Sequence, residues 1–208
     1  MTSLKSERLI EIKAVSLGPP RLVGEQENAM PSRYDAVAIV LHWSIASLIL
    51  VAFGLGLTVD DFPKAFVPVV VNAHALIGLA VLALTFVRLA WRITHRPPPL
   101  PASTGHLTER LSKIAHGLLY LLMIAVPLIG LPTLFYRGKG LDFGLVAVPQ
   151  FLPRVPEIFH PLTEVHELGA YALVLLAAGH AAAATYHQVV LRDGLVFRMT
   201  LGRKQEAV

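Results

Sequence analysis

Four stretches of the chain run for more than twenty residues without an Asp, Glu, Lys or Arg: 36–57, 65–87, 114–136 and 168–191. A helix needs about 20 mainly apolar residues to cross about 30 Å of hydrocarbon. The pattern therefore predicts an all-α membrane protein, a four-helix transmembrane bundle. Residues 1–30 are polar and charged, with no apolar core of the kind a signal peptide carries. Residues 1–31 are expected to form a poorly ordered N-terminal extension, and Met30 stands close enough to the first span for 1–29 to lie upstream of the true start. Residues 203–208 are read as a short C-terminal tail.

Charge placement adds an orientation. Fourteen of the 18 Lys and Arg residues fall in the N-terminal segment, the connection between spans two and three, and the C-terminal tail. The other four are Lys64, Arg137, Lys139 and Arg154, in the two opposite connections. Cytoplasmic loops collect Lys and Arg, so both termini are expected in the cytoplasm. This placement accounts for the basic excess through topology and leaves no nucleic-acid partner to explain. Prolines 97–99 are expected to stiffen the cytoplasmic connection. Pro127 and Pro132 are expected to kink span three. The roughly 30 residues after Tyr136 are the longest connection, with room for a short helix or a lid.

Composition narrows the chemistry. Of 208 residues, 54% are apolar and 15% charged, against about 25% charged in soluble domains; mean hydropathy is +0.60. The absence of cysteine excludes disulfides, thiolate-held iron–sulfur clusters, zinc–thiolate sites and covalently attached c-type haem. Any metal group needs other ligands, and there are nine histidines.

His42, His74, His116, His180 and His187 fall within spans, and His166 at the mouth of the fourth. Ionisable groups inside a membrane are costly and mark function by default. One such histidine is readily explained as a helix–helix hydrogen bond; six at matched depths are not. Imidazoles from facing helices can clamp a haem iron between them. His180 lies 14 residues beyond His166, about 21 Å along a helix and within about 40° of a whole number of turns. Depth then pairs His74 with His166 at the outer side and His42 with His180 at the inner, which suits two stacked haems.

His187 is the rival inner ligand, seven residues beyond His180 on the same face, but it lies almost outside the hydrocarbon. The small residues Ala177, Ala178, Gly179 and 181–184 around His180 admit a macrocycle or, equally, a close helix neighbour. His116 and His187 have two readings, interfacial hydrogen bonding or a site for a quinone head group. Arg88 and Arg92 can contact haem propionates or snorkel to lipid head groups.

These features in order resemble the bacterial cytochrome b561 family. The matching residues are Arg33-Tyr34-Asp35, Leu41-His42-Trp43, Asn72-Ala73-His74 with Gly78, and Arg88-Leu89. They continue with His116, Tyr120-Leu121-Leu122, Pro127-Leu128-Ile129-Gly130, Tyr136-Arg137-Gly138, His166-Glu167 and Gly179-His180-Ala181-Ala182-Ala183 with His187. The resemblance covers about residues 32–202. It implies a cytochrome of the bacterial inner membrane with two b haems, ligated by His42, His74, His166 and His180. Some members of the family are superoxide oxidases that pass electrons to ubiquinone; more distant relatives are haem subunits of hydrogenases or dehydrogenases.

The compact form leans toward a superoxide:ubiquinone oxidoreductase. Arg137, Lys139 and Arg154 would offer a positive field to an anion such as superoxide, although an ordinary solvated loop explains them as well. The competing readings are an electron-transfer subunit that docks a redox protein, and a metal or small-molecule transporter built on the same histidines.

Overall fold

The computed structural model describes residues 33–98 and 105–201. Four long helices follow one another up and down: α1 Ala36–Thr58, α2 Val67–Thr94, α3 His106–Tyr136 and α4 Pro156–Tyr186. All four are long and apolar enough to cross a membrane. The expectations for residues 1–31, for Pro99 and for the tail at 203–208 lie outside the described residues.

Two helices begin earlier than the charge-free stretches suggested. α3 starts at His106 rather than 114, with Glu109 in its first turn bound to Lys113 at 2.6 Å. α4 starts at Pro156 rather than 168, with proline opening the helix and Glu157 in its first turn. Carboxylates favour the positive end of a helix dipole, and proline suits a first turn whose N–H has no partner. Charge ends a hydrocarbon span without ending a helix. The connection after Tyr136 thus shrinks to 137–155. It holds a two-stranded antiparallel hairpin, β1 Leu141–Asp142 with β2 Ala147–Val148, where a short helix or a lid was expected. Pro127 and Pro132 both lie inside α3, and the helix continues through them.

α1 packs on α2, α3 on α4 and α2 on α3, whereas α1 meets α4 over few residues. Ile45, Val81, Met123 and Leu173, one from each helix, form a buried layer halfway along the bundle, flanked by Leu48, Leu84, Leu119 and Leu122. Elsewhere large apolar side chains face outward, as lipid-facing surfaces require.

One end of the bundle, here the basic end, carries Arg33, Arg88, Arg92, Arg110 and Arg198. The chain closes on itself there. After α4 comes a π-helical turn, His187–Leu191, then Arg192 with φ 53° and a 3-10 turn, Val196–Met199. That last turn lies over the start of α1. The Arg33 guanidinium donates to the Phe197 carbonyl at 3.0 Å, the Tyr34 N–H to the Arg198 carbonyl, and the Trp43 indole N–H to the Met199 carbonyl at 2.8 Å. Contacts that α1 and α4 lack along their length are thereby supplied at their ends.

Asp35 ties two helices at this end. Its carboxylate caps α1 by accepting from the Ala38 N–H at 2.9 Å and accepts from the Trp91 indole of α2 at 3.0 Å. Partial burial opposes its ionisation, but these bonds outweigh burial and hold its pKa below the ordinary aspartate value. Its contribution is therefore present at neutral pH and lost as pH falls through the lowered value. Asp35→Ala is expected to cost about 1 kcal/mol, a typical helix-cap loss, and Asp35→Asn much less. Thermal unfolding of both variants in detergent checks this.

Candidate functional site

The far end of the bundle brings His74 of α2 and His166 of α4 together, with ring centroids 5.8 Å apart and planes at 79°. Each ring is fixed on the helix beside its own, by the same device. The Nδ1–H of His74 donates to the Ala52 carbonyl of α1 at 2.9 Å. The Nδ1–H of His166 donates to the Val126 carbonyl of α3 at 2.9 Å. A carbonyl can only accept, so both rings carry their proton on Nδ1 and present Nε2 as a bare lone pair. Four residues beyond each carbonyl stands a glycine, Gly56 after Ala52 and Gly130 after Val126. A Cβ on Gly56 would meet the His74 ring at 3.3 Å, and one on Gly130 the His166 ring at 2.9 Å. The glycines let each imidazole lie against the neighbouring helix and reach its backbone.

Around these rings opens a cavity of about 340 Å³, inside the range of roughly 300–1,000 Å³ usual for small-molecule and cofactor sites. Its walls are mostly apolar or small, among them Phe53, Gly78 and Ala170, with Asp60, Arg137 and Glu167 as its charged members. Arg137 stands at the mouth. Its guanidinium lies 5.4 Å from the centre of the buried Phe159 ring, with Arg154 at 5.5 Å from the same ring, and Arg137 also donates to the Thr163 hydroxyl. Two of the three cations read as anion-attracting thus share an aromatic ring; Lys139 is exposed on the connection.

The basic end gathers three histidines. His180 of α4 stands 6.3 Å from His42 of α1 and 5.1 Å from His116 of α3, centroid to centroid. The Nδ1–H of His116 donates to its own helix, at the Ser112 carbonyl, 2.6 Å away. Among the described residues no hydrogen bond fixes the rings of His42 or His180, and Trp43 meets His42 edge-to-face at 5.3 Å. His187 stands apart from this group. Its Nδ1–H bonds the Asp193 carboxylate beyond the π turn. Burial opposes ionisation of Asp193, but the hydrogen bonds from His187 and from the Leu195 N–H outweigh it, so its pKa lies below the ordinary value.

Arg88 is half-buried and held between helices, donating to the Ala38 carbonyl at 2.9 Å and to the Tyr120 hydroxyl at 3.2 Å. Arg92 is exposed beside it, and the two share a small cleft with Tyr34 and Trp91.

The two sets of histidines lie on either side of the apolar layer, for Leu173 is seven residues from both His166 and His180. Among the described residues no three His, Asp or Glu side chains stand close enough to hold a bare metal ion. The donors face one another across gaps instead. Metal–imidazole bonds of roughly 2 Å on both sides of one ion put ring centroids about 6 Å apart, close to the far-end separation. A ligating histidine ordinarily donates its other N–H to a carbonyl or carboxylate, as His74 and His166 do. The donor set, the free Nε2 atoms and the cavity between small residues all fit a haem.

Gly56, Ala52 and Val126 escaped notice in the sequence. The signal was present as a four-residue step from carbonyl to glycine, but small residues at that spacing are common wherever membrane helices pack.

Comparison with known proteins points the same way. A family profile described as prokaryotic cytochrome b561 matches residues 33–202. The chain is 28% identical over 172 residues to the probable superoxide oxidase CybB of Yersinia pestis, covering 82% of this chain and 97% of that protein. It is 33% identical to cytochrome b562 of Cereibacter sphaeroides, over 80% of this chain and 94% of that protein. It is 26% identical to cytochrome b561 homolog 1 of Escherichia coli, over 83% and 99%.

The glycine clearances differ enough to rank two variants. Gly130→Ala is expected to destabilise by about 1–3 kcal/mol, the usual cost of overpacking, and Gly56→Ala by less. Thermal unfolding in detergent gives the order, and equal effects would contradict it.

Proposed function

The chain belongs to the prokaryotic cytochrome b561 family, whose members are haem b proteins of membrane electron transfer, and from that premise we propose that it moves electrons through two b haems from a donor outside the membrane to ubiquinone within it. The observation that carries this reading is the His74–His166 pair: two imidazoles held through Nδ1 by carbonyls of α1 and α3, with Nε2 of each left free beside a cavity. His42 and His180 would hold the second haem at the basic end. Bound there, haem iron supplies reversible one-electron transfer, with potentials set by ligation and surroundings.

The protein's own part follows from geometry. The Nδ1 hydrogen bonds fix the tautomer and orientation of His74 and His166 and raise their basicity as ligands. The layer of Ile45, Val81, Met123 and Leu173 keeps water from the space between the two ends. Arg88, and Arg92 beside it, would offset the charge of haem propionates. His116 and His187 would meet a quinone head group; each donates from Nδ1 to a protein oxygen, of Ser112 or Asp193, which leaves Nε2 as an acceptor for a quinol hydroxyl. The skew of Lys and Arg toward the basic end supports a cytoplasmic location for it. We take both termini, the extension at 1–31 and the tail at 203–208 to lie on that side, with 32–202 as the di-haem domain.

Superoxide is our first choice of donor, because the relative named as a probable superoxide oxidase aligns over nearly its whole length and Arg137 lines the far-end cavity. One observation favours a second reading, in which a redox protein docks at the far end. Asp60, Asp61, Asp142, Glu157, Glu164 and Glu167 outnumber Lys64, Arg137, Lys139 and Arg154 there, and Arg137 and Arg154 are engaged on Phe159. Such a surface attracts a cationic partner better than an anion.

His74→Ala is expected to lose the outer haem alone and His180→Ala the inner alone, read from reduced-minus-oxidised visible spectra. Loss of the inner haem in His187→Ala with retention in His180→Ala would reverse that ligand assignment. A pulse of superoxide on the purified protein with a ubiquinone present should reduce the haems on a fast timescale and then the quinone. Haems that stay oxidised would exclude superoxide and favour the protein donor.

A further inference from the structure

The hairpin at the far end is fastened to the flank of α2. The Asn72 side chain pairs with the backbone of Asp142 in both directions, donating to its carbonyl and accepting from its N–H, each at 2.8 Å. Leu141 beside it is 4% exposed. Asn72 is five residues into α2, about 7.5 Å along the helix from its first residue. The base of the hairpin therefore sits alongside the span, below the helix end.

Its tip is apolar where turns facing water are ordinarily polar. Phe143 is 51% exposed, Leu145 101% and Val146 67%. The exposed faces of Phe66 and Val69, at the start of α2, lie at the same end of that helix. Two backbone N–H groups of the turn have partners within it. The Phe143 N–H donates to the Val146 carbonyl at 2.9 Å, and the Gly144 N–H, on a residue with φ 87°, to the Asp142 carboxylate at 2.7 Å. At the interface the turn's other backbone groups can meet water and head groups, which the hydrocarbon core does not offer.

We propose that Phe143, Leu145 and Val146 are seated in the lipid interface beside α2, so that the hairpin is a membrane anchor. The occupant of this surface is lipid because the hairpin is fastened to the side of a membrane span, and its apolar tip stands at the same end of α2 as the exposed Phe66 and Val69. A soluble partner would approach the end of the bundle from above. Through Asn72, two residues before His74, the anchor also holds the outer part of α2 in place.

The chain has no cysteine, so a single introduced thiol can be labelled without background. Full-length Leu145→Cys, carrying a nitroxide label and reconstituted in phospholipid nanodiscs, is compared with two references. Val51→Cys lies on the exposed side of α1 in mid-span, and Lys64→Cys in the exposed loop between α1 and α2. The label at 145 is expected to collide severalfold more with oxygen than with a water-soluble nickel chelate, as at 51 and unlike 64. A ratio matching position 64 overturns the proposal and leaves the tip free for a protein partner. Few collisions with either reagent overturn it too, since the label would then be packed against protein. Val146→Cys repeats the measurement one residue away, should the first variant not fold.

Discussion

An imidazole inside a membrane has two nitrogens to satisfy and no water to do it. At the far end of this bundle one nitrogen is answered by a backbone carbonyl of the adjacent helix, and that settles much else. The carbonyl is already within a helical ladder and accepts a second bond. For the ring to reach it, the residue one turn on needs to be small, tightly so at Gly56 and strictly at Gly130. α2 is thereby held to α1 through His74, and α4 to α3 through His166. The remaining nitrogens then meet across the gap between the two helix pairs, where a ligand that needs two opposed lone pairs can sit.

The basic end solves the same problem differently. Three imidazoles converge there without a carbonyl for His42 or His180, while side-chain and backbone bonds from Arg88, Asp35, Arg33 and Trp43 tie the helices around them. A far end fixed by carbonyl bonds and a basic end laced by side chains give the two sets of histidines different surroundings. The apolar layer between them keeps the two environments separate, so each can set its own electrostatics.

The spans were legible in the sequence because hydrocarbon thickness is a strict measure, and the alignment of His166 with His180 followed from helix geometry alone. What misled was the equation of charge with helix end: α3 and α4 run eight and twelve residues further than their charge-free stretches. The hairpin was hidden because its strands are two residues long, too short for any alternation to show. The partnership of Gly56 with His74 joins residues on two helices, and a pattern along one chain does not disclose which carbonyl a ring will find. The fold of 187–199 over α1 depends on backbone carbonyls, which have no sequence signature.

The central claim is that opposed histidines make two haem sites, one at each end of the bundle. The most direct test is the haem content of the full-length purified protein, by extraction and quantitation, together with the electron paramagnetic resonance of its oxidised form. The account predicts two non-covalent b haems per chain, both low-spin as two imidazole ligands require. One haem per chain, or a high-spin signal from a centre with a single histidine, would contradict it.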